Sequence, residues 1–288
     1  MLGRRLFGYW SLMSILVLLN TIANAFPPAP SITYFGTARD SFGNAIDSSA
    51  KAFVVIKEGA TVVAEAPIDE RLRPGENFRV QIPVDLDGVD PYSPSALTSG
   101  DFVTISVRLP SGLLPVAGLS VGAIEVSEPS DRVRIDFFLG VDADGDGLPD
   151  DWELSQLEFA GIFPPDSQYS LDSLDAAGDF DKDGLTNLEE YIAGTFALLQ
   201  SDAFSLRFVS QGITVDSLQT SFVFGKFYRL EASVDLAKWR PVRIRKQGAS
   251  GDGALELKST QDGLVNLEAI RSDLFSSEQK VFYRMIVR

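Results

Sequence analysis

The chain has 288 residues, is 45% hydrophobic and contains neither cysteine nor histidine. That composition supports folded cores and excludes Ser-His-Asp and Cys-His nucleophiles, thiolate chemistry and nearly all ordinary zinc, copper and haem sites. The net charge of -15 is concentrated: residues 141–190 carry fifteen Asp or Glu against one base, Lys182, which leaves -14 on this segment and -1 on the rest.

Any metal must therefore be held by oxygen, and so dense a negative charge is costly to keep compact without counter-ions. With no basic stripe to meet phosphate, nucleic acid is excluded as a partner. Residues 1–25, MLGRRLFGYWSLMSILVLLNTIANA, read as a secretory signal peptide: Arg4 and Arg5, an apolar run from Leu12 to Leu19, and small residues at Ala23 and Ala25 for cleavage. The arginines partly match a twin-arginine signal, and an uncleaved anchor is the alternative, but the apolar run is short for a bilayer of roughly 30 Å. No later segment is apolar enough to span, so the expected location is secreted, periplasmic or at the cell surface. Without disulfides, stability there must come from the core or from bound ions.

The fold class expected is mainly β, in three units. Residues 26–140 hold short Val-, Ile-, Phe- and Thr-rich stretches punctuated by Gly, Pro and Asp, from SITYFGTAR to RVRIDFFLG, which predicts an antiparallel β-sandwich of about seven strands. In the last of these, Val133, Ile135, Phe137 and Leu139 share one face. Gly36, Asp40, Gly43 and Ala50, with ENFRVQIP from Glu76, resemble the opening and a later strand of carboxypeptidase-regulatory-like, transthyretin-like sandwich domains. That resemblance covers about half the unit and implies a non-catalytic module of a secreted protein.

Residues 141–200 contain one pattern twice. Counting Asp142 as position 1, acidic side chains fall at Asp142, Asp144 and Asp146, Gly147 is at 6, the Leu148 carbonyl at 7, Asp150 at 9 and Glu153 at 12. Counting Asp179 as position 1 gives Asp179, Asp181, Asp183, Gly184, the Leu185 carbonyl, Asn187 and Glu190. Ca²⁺ takes about six to eight hard oxygens at about 2.3–2.6 Å, and a chain coiled around it turns alternate side chains inward. Glycine at 6 allows the bend, position 9 acts through water, and Glu at 12 closes the shell with two oxygens. The expectation is two Ca²⁺ ions, one per loop, each loop running into a helix. Pro149 suits the first helical turn, Thr186 and Glu189 form a capping box, Leu188, Tyr191, Ile192 and Thr195 share a face, and Gly194 terminates. Two departures from a paired EF-hand stand out. The first loop is entered from a strand, and position 8, where paired hands bridge through backbone, holds Pro149 and Thr186. The loop unit resembles the dockerin and thrombospondin type 3 families, whose cysteines and repeat lengths are missing.

Residues 201–288 read as a second antiparallel β unit, with GASGDG as a hairpin tip. YRLEASVDLAKW and FYRMIV resemble C-terminal modules that follow calcium loops in secreted modular bacterial proteins. Trp239 reads as core before it reads as a sugar-stacking platform. The whole implies a non-enzymatic, secreted, modular protein with a structural, adhesion or attachment role, calcium acting as a permanent clasp between two β domains. The partner classes are an extracellular polysaccharide, a cell-surface protein or a matrix protein. The alternatives are a polysaccharide-active enzyme or carbohydrate-binding module using carboxylates such as Asp69, Glu70, Asp85 and Asp87, and a dockerin-like module for a cohesin-like partner.

Overall fold

The computed structural model describes residues 29–86, 95–118, 122–163, 169–271 and 280–288; the signal sequence and Asp87 lie outside them. The fold is mainly β, as the strand patterns require, with two α-helices among the described residues. Among the described residues no helix is long and apolar enough to cross a membrane.

The N-terminal unit comprises β1 (Ile32–Gly36), β2 (Ala38–Arg39), β3 (Phe53–Glu58), β4 (Thr61–Pro67), β5 (Phe78–Ile82), β6 (Phe102–Leu109), β7 (Gly112–Leu114), β8 (Val116–Ala117), β9 (Ile124–Glu125), β10 (Arg132–Arg134) and β11 (Phe137–Leu139). One sheet runs β10-β1-β5 and another β4-β3-β6-β7 with β9 also on β6, while β2-β11-β8 form a third. The first two feed one core: Ile32, Tyr34, Phe78 and Val80 from the first meet Val54, Ile56, Val103 and Val107 from the second. The expectation of purely antiparallel pairing fails at two strand pairs and at the isolated Val84–Leu97 bridge, which is parallel. β1 pairs with β10, and β2 with β11, in parallel. Gly36 makes the join between the first and third sheets possible, since a Cβ there would lie 2.0 Å from the Ile135 carbonyl oxygen. Ile135 and Phe137 enter the core with Val133 and Leu139 packed against it, the shared face read from the alternation.

The middle unit consists of the two acidic loops and their exit helices, α1 (Asp150–Phe159) and α2 (Asn187–Ala193). Pro149 does not occupy the first helical turn; it is the N-cap of α1, and its carbonyl accepts the Trp152 and Glu153 N–H groups. α2 is bounded as its sequence dictates, by the reciprocal Thr186–Glu189 capping box and by Gly194 at φ 82°. This unit has more core than its charge suggests. Phe138, Leu148, Trp152, Leu157, Leu174, Ala176, Tyr191 and Ala197 form a buried cluster. Phe138 comes from β11, so successive residues of one strand, Phe137 and Phe138, serve two cores on opposite faces.

The C-terminal unit comprises β12 (Leu206–Ser210), β13 (Val215–Phe222), β14 (Phe227–Ser233), β15 (Arg240–Val242), β16 (Ile244–Lys246), β17 (Leu257–Lys258), β18 (Gly263–Ile270) and β19 (Phe282–Val287). All its pairings are antiparallel, in sheets β12-β13-β18-β16 and β15-β14-β17, with β19 also on β14. The stretch WRPVRIRK, which reads as one strand, divides at Arg243 so that Val242 and Ile244 belong to different sheets. Their side chains share one core with Leu218, Tyr228, Leu230 and Leu267. Trp239 is not core: it is half-buried at the surface under the Arg284 guanidinium, 4.4 Å from its ring centre.

The two β units also touch each other, which a simple spacer arrangement does not anticipate. The Arg229 Nη1 donates to the Pro74 carbonyl at 3.1 Å, and the buried Lys226 Nζ donates to the carbonyls of Gly43 (2.6 Å) and Tyr191 (3.2 Å). The Tyr191 hydroxyl donates to the Asp40 carbonyl at 2.7 Å. All three units therefore meet around the Asp40–Asn44 turn.

Candidate metal centres

Alternation of aspartates has a direct local consequence, because each carboxylate accepts N–H groups from its own loop and curls the backbone around itself. Asp142 accepts from Gly145 (2.7 Å) and Gly147 (3.1 Å), and Asp179 accepts from Lys182 (2.7 Å) and Gly184 (3.1 Å). Asp146 accepts from Leu148 (2.7 Å) and Asp183 from Leu185 (2.8 Å). Asp144 and Asp181 each accept from the residue two further on, Asp146 at 3.3 Å and Asp183 at 3.1 Å. Gly147 and Gly184 sit at φ 102° and 104°, as position 6 requires. Position 4 is left-handed in both loops as well, Gly145 at φ 78° and Lys182 at φ 65°. The two loops thus share the same internal hydrogen bonds and the same left-handed positions.

In each loop the first three aspartates converge, with one carboxylate oxygen from each of Asp142, Asp144 and Asp146, and likewise of Asp179, Asp181 and Asp183, lying within 4.8 Å of one another. Either triplet could hold a metal ion. Glu153 and Glu190 lie outside these tight triplets but have no exposed surface and feel their charge. Burial, then Asp146 and Asp144, push Glu153 up to about 9; burial, then Asp181 and Asp183, push Glu190 up to about 8. Burial likewise raises Asp142, Asp146 and Asp181 above the ordinary carboxylate range.

The remaining assigned positions have other work in the protein. Asp150 reaches back to accept the Ala143 N–H at 2.8 Å, and Asn187 accepts from Phe180 at 3.2 Å while donating to the Asp175 carbonyl at 2.8 Å. The Leu148 side chain is wholly buried and Leu185 half-buried, so each loop is pinned at position 7, where a carbonyl ligand is expected.

A fit to a cation can be judged from atoms that have no partner in the protein. Both oxygens of Glu153, one of Glu190, one of Asp181 and one of Asp183 are buried and accept no hydrogen bond. A buried carboxylate oxygen without a donor costs several kcal/mol. Five of them clustered around two aspartate triplets suit an oxygen-seeking cation and nothing else the chain itself supplies.

The coupling between the loops was not legible from the spacing. Proline at position 8 removes the usual backbone bridge, and the segment 175–178 replaces it. The Ala176 N–H donates to Asp146 at 2.6 Å and its carbonyl accepts the Leu188 N–H at 3.1 Å, while the Gly178 carbonyl accepts the Asn187 N–H at 2.7 Å. Only the small residues at Ala176, Ala177 and Gly178 hint at it. Among the acids considered for catalysis, Asp69 is gripped by Arg71 (2.6 and 2.8 Å) and Glu70 by Ser48 (2.7 and 3.2 Å). Comparison with protein-family models, with curated proteins and with solved structures finds no match to this chain.

Proposed function

We propose that the protein is a calcium-stabilised, non-enzymatic modular protein of the secreted, periplasmic or cell-surface space, with a structural, adhesion or attachment role. The observation that carries this reading is the pair of similarly folded loops, each with aspartates gathered and a buried glutamate oxygen that no protein donor satisfies. Calcium suits them because its shell is large, flexible and all-oxygen, whereas Mg²⁺ demands a smaller octahedron. Asp142, Asp144, Asp146, the Leu148 carbonyl and Glu153 would hold one ion, with Asp150 acting through water. Asp179, Asp181, Asp183, the Leu185 carbonyl and Glu190 would hold the other, with Asn187 in the water-mediated place. The ion supplies positive charge, and the protein supplies the curled backbone that sets the oxygens beforehand.

At the millimolar calcium of extracellular fluids even a weak site of this type is filled. The ions then act as a clasp, and what they clasp is a three-way junction: α2 carries both Glu190 and Tyr191, the residue that holds the Asp40–Asn44 turn and Lys226. Attachment to a polysaccharide, a cell-surface or matrix protein, or a cohesin-like partner follows from the modular resemblance of the loops and flanking strands. Calorimetry on the mature chain tests the core of this reading. Two calcium ions with weak competition from magnesium are expected, and one ion or none would overturn it. Incubation with a polysaccharide panel separates attachment from hydrolysis: retention without new reducing ends is expected, and release of reducing ends would establish the enzyme alternative.

A further inference from the structure

Four cationic side chains are buried among the described residues: Arg39, Lys226, Arg271 and Arg288. Three have an acceptor, although Nε of Arg271 and Nη1 of Arg288 take no part in those bonds. Arg271 donates to Asp216 at 2.7 Å, Arg288 to Glu256 at 2.7 and 3.0 Å, and Lys226 to two carbonyls. Arg39 is only 8% exposed and its Nε is buried without a partner. Among the described residues its guanidinium has no ion pair or hydrogen bond, and of its three nitrogens Nε is the one buried without a partner. The nearest carboxylate belongs elsewhere, since Asp136 accepts the Thr37 N–H (2.8 Å) and both Nε and Nη2 of Arg134 (2.9 Å each). Burial lowers the affinity of Arg39 for its proton, with Asp136 opposing. A guanidinium nevertheless stays charged at neutral pH. Lys226, close enough for Arg39 to depress it further, adds positive charge to the same junction and brings no anion.

Arg39 lines a cavity of ≈ 220 Å³ between β11 and α2. Its other walls are largely apolar, Phe138, Leu188, Tyr191 and Ile192 with Phe137 behind, and they include one carboxylate, Asp136, which Arg134 already holds. A cavity of about 150 Å³ lined by apolar side chains takes up benzene, so this one has room for roughly ten non-hydrogen atoms. The combination is a guanidinium without a hydrogen-bonded acceptor at the wall of a largely apolar cavity whose one carboxylate, Asp136, is committed to Arg134. A carboxylate matches the Arg39 fork through two parallel charge-assisted bonds. An inorganic anion would leave the apolar walls uncovered, and an apolar molecule would leave the guanidinium unpaired.

We propose that this cavity binds a small organic monocarboxylate, its carboxylate on Arg39 and its apolar body against Phe138, Leu188 and Ile192. The site is independent of which metal the loops take, although Gly147 and α2 contribute to its walls. A ligand there would bridge the N-terminal sandwich and the helix that carries Glu190.

The mature full-length chain, kept in excess calcium throughout, can be titrated by NMR with four probes: benzoate, 4-methylpentanoate, benzamide and inorganic sulfate. At least one of the two carboxylates should bind saturably at one site and perturb Phe138 and Ile192, with benzamide and sulfate weaker by about tenfold or more, the ratio expected when one charge-assisted pair or the apolar contact is lost. Arg39→Gln should weaken carboxylate binding by at least about tenfold. Should that variant fold poorly, Ile192→Trp, which fills the chamber and leaves Arg39 in place, should do the same. Failure of both carboxylates to bind, binding that Ile192→Trp leaves unchanged, or equal binding of benzamide or sulfate would overturn the proposal.

Discussion

Replacing Glu153 by Gln should move stability in opposite directions with and without calcium. Glu153 has no exposed surface, neither oxygen has a donor, and its carboxyl is pushed up to about 9 from an ordinary 4.5 by burial and by the aspartates around it. At about 1.4 kcal/mol per pH unit between 4.5 and 7, the metal-free fold at pH 7 is weakened by on the order of 3 kcal/mol. Glutamine removes that protonation cost and adds an amide whose unmet groups cost about 1–3 kcal/mol. The metal-free variant should thus match wild type or exceed it by up to about 2 kcal/mol. In calcium the order reverses, because an ion at a hundredfold excess over Kd adds about 2.7 kcal/mol at a competent site and the variant has lost its bidentate closure at one of two. Urea unfolding followed by tryptophan fluorescence, with Trp152 reporting from the middle core, measures both arms. A variant weaker than wild type in chelator that still gains the full calcium increment would refute the reasoning. The sign of the pH dependence follows too. A carboxyl raised in the folded state contributes stability that is complete below 4.5 and lost as pH rises through about 9 for Glu153 and about 8 for Glu190. Metal-free protein should therefore strengthen on acidification from about pH 9 towards pH 5, and calcium should flatten that slope.

Gly43→Ala places a Cβ 2.2 Å from the Tyr191 carbonyl oxygen at a residue with φ 78°, so it should destabilise the junction by about 2–4 kcal/mol and speed hydrogen exchange in α2; unchanged exchange would show that the turn does not hold the helix. Asp216→Asn removes the buried carboxylate that accepts from Arg271 and weakens the bond from the Tyr283 hydroxyl (2.6 Å), which should cost about 3–5 kcal/mol by thermal unfolding while calorimetry still counts two ions. Thr186→Ala removes the hydroxyl that accepts the Glu189 N–H in the capping box of α2 and should lower stability by about 1 kcal/mol, weakening the second proposed calcium site and leaving the first untouched. Equal weakening of both sites would point to tighter coupling through Ala176 than the hydrogen bonds imply.

Where local chemistry determines geometry, the residues announced it. The Asp-x-Asp-x-Asp-Gly spacing dictates the curled loops, Thr186 and Gly194 bound α2, and the alternation in 133–139 sets which side chains enter the first core. What the residues did not announce depends on distant partners. Parallel pairing of β1 with β10 is invisible to alternation, which looks the same whichever way the neighbour runs. The break of WRPVRIRK at Arg243 arises from two sheets competing for one stretch, and nothing in its composition marks the exchange. Arg39 looks like an ordinary strand-end cation until Tyr191 and Phe138, roughly a hundred residues or more away, close over it.

The parallel pairing also constrains the order in which the chain acquires structure during synthesis. β1 begins at Ile32, but its parallel neighbour spans Arg132–Arg134, and the same run continues into Phe138, the residue given to the middle core. A nascent chain shorter than about 139 residues consequently keeps one edge of its first sheet open, and contacts this far apart close late. Once that run arrives it seals the sandwich and lays the floor for the acidic loops. Ribosome stalling or premature termination shortly before it would leave an unpaired apolar edge, whereas termination shortly after it would leave a closed sandwich presenting Phe138 to solvent.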